Sequence, residues 1–467
     1  MSWLRGICTL RVGMVAALCV SAVCGAENPI IQTNFTADPA PLVYKGTVYL
    51  YTSHDEDDAT GFHMVDWKLY TSTDMVNWTD HGTVASLATF PWGVQTNDAW
   101  APQVVERNEK FYLYVPISVP GQPKNVIAVA VADSPFGPFK DVLGHPLIAK
   151  ANGNIDPTVF VDRDGQAYLY WGNPNLWYVK LNRDMVSYAG EVVKVESKPA
   201  NYQEGPWFYR RKDHYYVAYA SHCCPEGIGY AMSSRATGPW EYKGMVMDSD
   251  SRSSGNHPGI IDYKGGSYVF GFNYLLNYAL TDVHRERRSI TVAKFKYAAD
   301  GTIPTLPWWS REGVAQLGTL NPFVRVEAET MAWESGPTKG VWTTGVRTAQ
   351  DDKVGVYVTK IANGDFIKVR GVAFGEKPVE SFTASVAAGM DGGSIELHLD
   401  SVEGPVIGTL AVSSTGGLEA WRSETTAVHG ASGTHDLVFV FKGKGGGELF
   451  NFDYWKFNQQ GGKEPKF

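Results

Sequence analysis

The stretch Asp38-Pro39-Ala40-Pro41-Leu42-Val43-Tyr44-Lys45-Gly46-Thr47-Val48-Tyr49-Leu50-Tyr51 decides the fold, because its pattern returns four more times along the chain. Each copy has an apolar run, a polar turn and an aromatic run, which is typical of a β-hairpin. The later copies begin at Trp100-Ala101-Pro102, Asp156-Pro157, Glu204-Gly205-Pro206 and His257-Pro258.

The spacing of these copies predicts a β-propeller. Their prolines stand at positions 39, 102, 157, 206 and 258, so the intervals are 63, 55, 49 and 52 residues. Self-similarity with such a period indicates one propeller blade per repeat. A second pattern follows each hairpin, clear at 70–78 and 232–240 and loosest at 294–301, and it supports four strands per blade. We therefore predict five blades.

The residue that opens each inner strand differs from copy to copy. In a propeller the innermost strands line the central channel, so their starts meet at one mouth of it. Structural repetition alone would place the same residue five times, and the variation therefore indicates a functional site. The alternative is that Asp-Pro and Glu-Gly-Pro are only turn and strand-start signals. The five residues are Asp38, Trp100, Asp156, Glu204 and His257.

Three of these residues are carboxylates, which points to glycosidic bond hydrolysis. One carboxyl, kept protonated, gives a proton to the leaving oxygen, and an ionised one activates water or attacks the sugar. A third carboxylate raises the pKa of the acid, because like charges disfavour a second ionisation. Asp38, Asp156 and Glu204 supply this number, and Trp100 offers a stacking surface for a sugar. The sequence has no Ser-His-Asp elbow, Gly-rich phosphate loop or Cys-based zinc pattern.

Composition narrows the possible partners. The chain has 467 residues, of which 44% are hydrophobic and 13% aromatic, enough for several large β cores. A net charge of -8 argues against nucleic acid or an anionic membrane surface as a partner. No segment after the N terminus is predicted to span a membrane.

The N terminus predicts export. Residues 1–26 have two arginines, a short apolar run and Ala26 before a polar residue, as in a signal peptide cleaved after Ala26. The run is too short to be a membrane anchor, so we expect a secreted or periplasmic protein. Lipid anchoring at Cys24 is the alternative, disfavoured by the bulky Val23. After the signal only Cys223 and Cys224 remain, either as a vicinal disulfide or as two free thiols.

The pattern changes near Asn321-Pro322. From there, short alternating runs and Gly-rich turns over some 130 residues predict a β-sandwich of the jelly-roll kind. The predicted organisation is therefore all-β, with a signal peptide at 1–26, a five-bladed propeller at 27–320 and a β-sandwich module at 321–460.

The motifs taken together resemble glycoside hydrolase family 43, a five-bladed propeller family, followed by a family 6 carbohydrate-binding module. This resemblance implies that Asp38 is the general base, Asp156 the pKa modulator and Glu204 the general acid. The family inverts anomeric configuration, which requires base and acid carboxyls about 6.5–9.5 Å apart. The motifs are Ala37-Asp38-Pro39, Trp100-Ala101-Pro102, Ile155-Asp156-Pro157-Thr158, Glu204-Gly205-Pro206 and Gly255-Asn256-His257-Pro258-Gly259.

The same resemblance implies further roles in the propeller. His257 would lie near the channel axis and contact a calcium or sodium ion, the alternative being a channel histidine without metal. Asn256 and Arg288 would contact the substrate together with Trp100, and Arg287 is the other candidate for the arginine. No organic cofactor is implied.

In the module, the resemblance assigns Glu327, Glu329 and Asp453 to a structural calcium site, since hard oxygen ligands suit Ca²⁺. Trp421 and Asn451 fit positions in a sugar-binding cleft. The aromatic residue usually found just before the Asn363-Gly364-Asp365 turn is missing, and the nearest one is Tyr357. The module is therefore expected to bind sugar weakly, to bind it elsewhere, or mainly to pack on the propeller.

These features predict an exported inverting enzyme that removes α-L-arabinofuranosyl side chains from arabinoxylan. The alternatives are a β-xylosidase or an endo-acting xylanase or arabinanase of the same fold, and a non-catalytic carbohydrate-binding protein. The expected partner in each case is a plant cell-wall polysaccharide such as arabinoxylan, xylan or arabinan.

Overall fold

The computed structural model of the chain describes residues 27–121, 125–149, 153–336, 345–390 and 392–459. The predicted signal at 1–26 lies outside the described residues. In the described ranges, helix is confined to a 3-10 turn at Leu87–Thr89 and α1 at Leu275–Leu280. None of the helices in these ranges has the length and apolar character that crossing a membrane requires.

The first nineteen strands form five antiparallel sheets that follow one another along the chain. Four sheets have four strands of the propeller each, and the fifth has three. The first two sheets contain β1 (Phe35–Tyr44), β2 (Thr47–Asp55), β3 (Asp66–Ser72), β4 (Trp78–Ser86), β5 (Gln103–Arg107), β6 (Lys110–Ile117), β7 (Val126–Ala132) and β8 (Lys140–Asp141). The others contain β9 (Thr158–Val161), β10 (Ala167–Trp171), β11 (Trp177–Leu181), β12 (Tyr188–Lys194), β13 (Tyr202–Arg211), β14 (His214–Ser221), β15 (Gly227–Ser233), β16 (Glu241–Met247), β17 (Gly259–Tyr263), β18 (Gly266–Asn273) and β19 (Ser289–Phe295).

The first strands of the five sheets are neighbours. Strand β1 contacts β5 and β17, β5 contacts β9, and β9 contacts β13. This arrangement confirms the predicted five-bladed propeller, with the first strand of each blade on the inside. The weak pattern at 294–301 does not form a fourth strand of the fifth blade.

The second strand of each blade is buried on both faces, because neighbouring blades stack face to face. In β14, for example, every residue after His214 is buried. Aromatic side chains fill the space between blades: Phe208 of the fourth blade packs edge-on against Tyr170 of the third, with ring centroids 4.7 Å apart. Runs of alternating aromatic and aliphatic residues therefore form these strands, because both faces bury large side chains.

The N-terminal segment occupies the outer side of β19, where the fifth blade lacks a fourth strand. The Ile30 amide donates to Ile290 O at 2.9 Å. The buried Asn28 side chain accepts from Val292 N at 3.0 Å and donates to Val292 O at 3.1 Å. The two ends of the propeller domain are thus hydrogen-bonded to each other.

The module is a β-sandwich, as predicted. One sheet has the order β23-β24-β31-β26-β29, with β20 paired to β31, and the other has the order β22-β25-β30-β27-β28. Phe382, Phe439 and Trp455 lie in the core between the sheets. The strands are β20 (Val326–Glu327), β21 (Thr330–Met331), β22 (Trp333–Glu334), β23 (Arg347–Asp351), β24 (Gly355–Thr359), β25 (Phe366–Gly375), β26 (Val379–Ala387), β27 (Gly393–Leu399), β28 (Val406–Val412), β29 (Arg422–Ala427), β30 (Gly433–Lys442) and β31 (Asn451–Gln459).

The module is joined to the first blade by backbone pairing. Strand β21 pairs with β4, so the first sheet gains a fifth strand from the module. Buried polar contacts reinforce the junction: Arg370 N donates to Asn77 Oδ1 at 2.8 Å, and Asn77 Nδ2 donates to Arg370 O at 2.9 Å. The blade that carries Asp38 is therefore the blade that carries the module.

Candidate active site

A cavity of about 220 Å³ opens where the inner strands begin. It contains the five residues that the repeat singled out and also Asn256 and Arg288. Its lining consists of Asp38, Phe62, Met64, Trp100, Ala101, Ile155, Asp156, Asn173, Glu204, Gly255, Asn256, His257, Phe272, Tyr274 and Arg288.

Local backbone irregularities aim the carboxylates into this cavity. Asp38 lies inside β1, at a break in the register between Ala37 and Ala40, with φ of 52°. Asp156 precedes β9 and has φ of 56°. Both φ values are in the left-handed region, which non-glycine residues occupy at a cost and mostly where function needs it. The expectation that Asp38 opens its strand was wrong: β1 begins at Phe35.

Glu204 also lies inside its strand, β13, beside a second register break between Glu204 and Trp207. Gly205 follows with φ of 59°, and a Cβ there would be 3.1 Å from His257 Nδ1. Glycine is therefore required at this position both for its backbone conformation and for the close approach of the His257 ring.

Asp38 has a hydrogen-bond donor on each of its two oxygens. The Arg288 Nη1 group donates to Asp38 Oδ1 at 3.0 Å, and Ser53 Oγ donates to Oδ2 at 2.5 Å. Arg288 is itself fixed by Asp55, which accepts from Arg288 Nε at 3.0 Å and from Nη2 at 2.8 Å. All four side chains are buried. An ionised carboxylate with hydrogen-bond donors on both oxygens is suited to accept a proton from water.

Glu204 has the properties of a proton donor. Burial raises the pKa of Glu204, the hydrogen bond from Asn173 Nδ2 to Glu204 Oε2 counteracts it in part, and the charge of Asp38 adds to the rise. A carboxyl with a raised pKa keeps its proton to a higher pH than an ordinary glutamate does, and it can then donate that proton. The two groups therefore differ in the way that an acid and a base require.

Asp156 connects the acid to the third blade. Its Oδ2 accepts from Gly205 N at 2.9 Å, so it holds the residue that follows Glu204. Burial, then the charges of Glu204 and Asp38, raises the pKa of Asp156 well above its ordinary value. Through Gly205 N, this carboxyl fixes the backbone next to the acid, and its predicted effect on the pKa of Glu204 stays a prediction.

The sequence did not single out Glu226, a fourth acid at this site. Its Oε2 accepts from Asn256 N at 3.0 Å, and the side chain is 2% exposed. Burial, followed by the charge of Glu204, raises the pKa of Glu226 to about 8. A lone acid between Pro225 and a glycine has the appearance of an ordinary turn residue, so no local signal could have identified it. The same is true of Asn173, which follows β10.

The other predicted propeller residues lie at the cavity wall. Trp100 lines the cavity, and its Nε1 is a buried donor without a hydrogen-bond partner among the described residues. The same holds for Asn256 Nδ2. Arg287 is not among the lining residues: its Nε donates to Ala59 O at 2.9 Å. Of the two candidate arginines, Arg288 is the one in the cavity.

His257 is a buried channel residue close to the base. Its Nδ1 lies 3.7 Å from Asp38 Oδ1. Burial lowers the pKa of His257, which favours the neutral ring. Within the described ranges, the groups of three or more possible ligands within 4.8 Å of one another are Cys223–Cys224–Glu226 and His54–Glu56–Asp66, and neither includes His257. An ion at His257 stays a prediction.

In the module, Asn451 is hydrogen-bonded to the loop between β28 and β29, which carries Trp421. The ring of Tyr357 packs edge-on against Trp421, with centroids 5.1 Å apart. Asn451 Nδ2 donates to Leu418 O at 2.7 Å, while Asn451 Oδ1 and Trp421 Nε1 are buried without a partner among the described residues. Tyr357 thus lies beside the predicted cleft residue despite its displacement in sequence.

The three acids assigned to calcium are Glu327, Glu329 and Asp453, and Arg325 contacts two of them. Arg325 Nε donates to Glu327 Oε1 at 2.8 Å, and Arg325 Nη2 donates to Asp453 Oδ1 at 3.2 Å. Glu329 Oε2 is buried and has no hydrogen-bond partner in the described part of the chain. Burial, then the charges of Glu327, Asp80 and Asp453, raises the pKa of Glu329 well above its ordinary value. A buried carboxyl oxygen without a donor is a feature that a bound cation would explain. Within the described ranges, however, the carboxyl oxygens of Glu327, Glu329 and Asp453 do not form a group within 4.8 Å of one another, so the calcium site stays a prediction.

Cys223 and Cys224 are joined by a disulfide at the turn before β15. Of the two possibilities that the sequence left open, the structure has the vicinal disulfide. The two sulfur atoms lie within 4.8 Å of a Glu226 carboxylate oxygen.

Comparisons with known proteins agree with this architecture. Residues 26–303 match the family model described as Glycosyl hydrolases family 43, and residues 327–459 match the model described as Carbohydrate binding module (family 6). The chain is 35% identical over 490 residues to the Arabinoxylan arabinofuranohydrolase of Bacillus subtilis (strain 168), with 93% of each chain covered.

Two further matches cover one or both parts of the chain. A crystal structure of a glycoside hydrolase family 43 arabinoxylan arabinofuranohydrolase from Bacillus subtilis, in complex with cellotetraose, matches with a TM-score of 0.80 at 33% identity. The match covers 93% of this chain and 98% of that one. The Xylosidase/arabinosidase of Bacteroides ovatus is 27% identical, and its match covers 59% of this chain and 96% of its own.

Proposed function

The chain belongs to glycosyl hydrolases family 43 and carries a family 6 carbohydrate-binding module, and from this premise we propose that it removes α-L-arabinofuranosyl side chains from arabinoxylan. The observation that carries the proposal is one cavity lined both by Asp38, held by Arg288, and by Glu204, whose pKa is raised by burial. A relative that matches 93% of the chain, from Bacillus subtilis, is named for the same activity.

The acid step belongs to Glu204. Its proton moves from the carboxyl to the glycosidic oxygen as the bond to the anomeric carbon breaks. Asn173 orients this carboxyl through Oε2, which leaves Oε1 to carry the proton. Asp156 holds the next residue through Gly205 N, so the acid stays at a fixed position in the cavity.

The base step belongs to Asp38. It takes a proton from a water molecule on the other face of the sugar, and the water oxygen attacks the anomeric carbon. Arg288 and Ser53 each donate to one oxygen of Asp38, which fixes the orientation of the carboxylate before the substrate arrives. Attack from the face opposite the leaving group inverts the anomeric configuration.

The cavity fits a short substrate unit. At about 220 Å³ it is smaller than the pockets of roughly 300–1,000 Å³ that hold drug-sized ligands. A single pentose side chain suits such a space better than a run of backbone sugars. Trp100 and Phe62 offer aromatic surface for a sugar ring, and Asn256 Nδ2 offers an unused donor for a hydroxyl.

Two accessory properties complete the proposal. The sequence of residues 1–26 supports export, so the substrate would be met outside the cytoplasm. Glu327, Glu329 and Asp453 would hold a structural Ca²⁺ that links the two ends of the module, and this ion would take no part in hydrolysis. A second ion at His257 is proposed on the family resemblance alone.

The test is product analysis on a panel of substrates: arabinoxylan, linear xylan, arabinan and aryl glycosides. We expect arabinose from arabinoxylan, and proton NMR during the first minutes should show the inverted anomer. Release of xylose or xylo-oligosaccharides from linear xylan would replace the proposed substrate while keeping the mechanism. No sugar from any substrate would favour a non-catalytic carbohydrate-binding protein.

The second candidate is β-xylosidase activity. It is favoured by the relative from Bacteroides ovatus named Xylosidase/arabinosidase, which matches 59% of this chain. An aryl β-xyloside and an aryl α-L-arabinofuranoside, compared at equal concentration, distinguish the two by the ratio of their kcat/KM values. An endo-acting xylanase or arabinanase would instead produce oligosaccharides from the backbone.

A further inference from the structure

The residues between β2 and β3, 56–65, form a loop at the rim of the cavity, which we call the rim loop. Two of its side chains, Phe62 and Met64, line the cavity. Met64 is buried, whereas Phe62 is 52% exposed. Phe62 lies against the Arg288 guanidinium, whose carbon is 5.2 Å from the ring centroid. Since packing alone does not fix an exposed ring, its position depends on how the loop backbone is held.

The propeller holds the rim loop at Ala59, Phe62 and Met64. Asn97 Nδ2 donates to Phe62 O at 3.1 Å, and Met64 N donates to Asn97 Oδ1 at 2.9 Å. Arg287 Nε donates to Ala59 O at 2.9 Å. The contact nearest to Asp57 is therefore the one at Ala59, two residues later.

The module holds the loop at Asp57, near its start. Arg347, the first residue of β23, pairs through Nη2 with Asp57 Oδ2. Its Nη1 donates to Thr33 O at 2.6 Å, so the guanidinium bridges two propeller segments. The Arg347 side chain is 16% exposed and that of Asp57 is 51% exposed, so the arginine is the more enclosed partner of the pair.

The backbone around Arg347 is rigidly attached to the first blade. The neighbouring Thr348 Oγ1 donates to Asp80 Oδ2 at 2.7 Å, and Asn34 Nδ2 donates to Thr348 Oγ1 at 3.2 Å. A charged group on such a support can restrain a loop without moving itself. The hydrogen bonds of Asp38, Asp156 and Glu204 described above run to Arg288, Ser53, Gly205 and Asn173.

We propose that Arg347 of the module is a positioning residue for the substrate pocket, acting on Phe62 through Asp57 and the rim loop. The inference builds on the proposed function, because it concerns the pocket of that same site. Through this contact the module shapes the pocket directly, in addition to any sugar that it binds at Tyr357 and Trp421. Removing the contact should weaken substrate binding and leave the chemistry of Asp38 and Glu204 in place.

The kinetic test is a double-mutant cycle with Arg347→Met, Asp57→Asn and the pair, assayed on an aryl α-L-arabinofuranoside. This substrate carries one sugar, so its KM reports the pocket and not the cleft of the module. We expect each single variant to raise KM about three- to tenfold with kcat within about twofold of wild type. The double variant should have the KM of a single variant. Lys353→Met, an exposed residue just after β23, is the matched control and should change neither constant.

The second readout is hydrogen exchange of the peptide that covers 55–65, which needs no turnover. Exchange in this peptide should become faster in Arg347→Met and Asp57→Asn, and Arg347→Lys should recover part of the protection. Unchanged KM and exchange in both single variants, or fully additive effects, would overturn the proposal. If the wild type fails to release arabinose, the proposed function fails, and the exchange experiment still decides the role of Arg347. If Arg347→Met lowers the melting temperature, Asp57→Asn alone carries the test, because Asp57 is on an exposed loop.

Discussion

Glu204 shows how a single hydrogen bond sets the role of a residue. Asn173 donates to one oxygen of this carboxyl, and burial favours its protonated form. The remaining oxygen is therefore the one that can protonate a leaving group. A variant that keeps the shape and removes the acidity isolates this role.

Glu204→Gln should lower kcat/KM on arabinoxylan by about 10²–10⁴-fold, the usual contribution of a general acid. The loss should be much smaller on an aryl glycoside with a strongly activated leaving group, because such a group departs without protonation. Both rates are measured from released sugar and released phenol. Glu191→Gln on the exposed strand β12 is the control and should keep both rates. Equal losses of Glu204→Gln on the two substrates would contradict the assignment.

The sign of the pH dependence follows from the same residue. Glu204 acts in its protonated form, so activity falls as pH rises through its raised pKa. Glu226 differs in that its role is structural: it holds Asn256 N and does not line the cavity. Its effect should therefore be visible in stability.

Glu226→Gln should be more stable than wild type at alkaline pH. The pKa of Glu226 is raised from 4.5 to about 8, so its contribution to stability is fully present below about pH 4.5 and is lost as pH rises to about 8. The neutral amide does not titrate, and the variant should gain about 1.4 kcal/mol per pH unit within this window relative to wild type. Denaturant unfolding at pH 5, 6.5 and 8 measures the difference. Glu376→Gln, at the surface, should show no pH-dependent difference from wild type. If the difference in free energy of unfolding between Glu226→Gln and wild type does not grow with pH, the expectation is refuted.

The site residues that occupy equivalent positions in the repeats could be predicted from the sequence. Those that reach the site only through the path of the folded chain could not. Asp38, Asp156 and Glu204 occupy equivalent positions in three repeats, so radial symmetry predicts that they meet. Glu226 and Asn173 come from turns between outer strands, whose lengths differ from blade to blade. Their distance from the site depends on the paths of those turns, which no repeat constrains.

At the scale of elements, the breaks in β1 and β13 place the acids. A regular strand directs alternate residues to opposite faces, so one extra residue redirects the side chain beside it. The sequence predicted the strands through their alternation, but it placed their starts at the motif residues. The actual strands begin earlier, at Phe35 and Tyr202, because pairing with the second strand continues beyond the irregularity.

The contact between the N-terminal segment and β19 closes the ring of blades. We therefore expect a single substitution in this segment to lower the stability of the propeller. Asn28→Ala should lower the free energy of unfolding by about 1–3 kcal/mol, because it leaves buried polar groups of Val292 without a partner. Denaturant unfolding, with an unchanged dependence on denaturant, provides the measurement.

Asn182→Ala serves as the control for this substitution. Asn182 also makes a side-chain hydrogen bond, to Ser187 Oγ at 2.8 Å, but in an exposed turn of the third blade. Its removal should change stability by less than about 0.5 kcal/mol. Equal stability of Asn28→Ala and Asn182→Ala would show that the segment contributes nothing to closure.

At the scale of the molecule, the two domains share one sheet, and acidic side chains of both domains interact at their junction. Glu329 lies between the module and the first blade, since its charge interacts with both Asp453 and Asp80. A cation at this position would give Glu329 Oε2, which lacks a hydrogen-bond donor among the described residues, a favourable partner. The sequence could predict the three acids only through family resemblance, because their spacing along the chain matches no calcium loop.

The full-length protein, purified without chelator, should contain about one Ca²⁺ per chain by elemental analysis. EDTA should lower the melting temperature, and added Ca²⁺ should restore it, because a ligand that binds only the folded state stabilises that state. Glu329→Gln should abolish both the metal content and the response to EDTA. Glu403→Gln, exposed on the same module, should keep them. Metal-free protein with an unchanged melting temperature in EDTA would exclude the site.

The closure of the ring has a consequence for biosynthesis. Asn28 bonds to Val292, a residue 264 positions later in the chain. A ribosome adds about 5–20 residues per second, so roughly 13 to 53 s pass between the synthesis of Asn28 and the synthesis of Val292. During that time the edge of the unfinished ring has no backbone partner. We therefore expect early blades to form while the chain grows, and the propeller to become resistant to proteases only after its last strand has emerged.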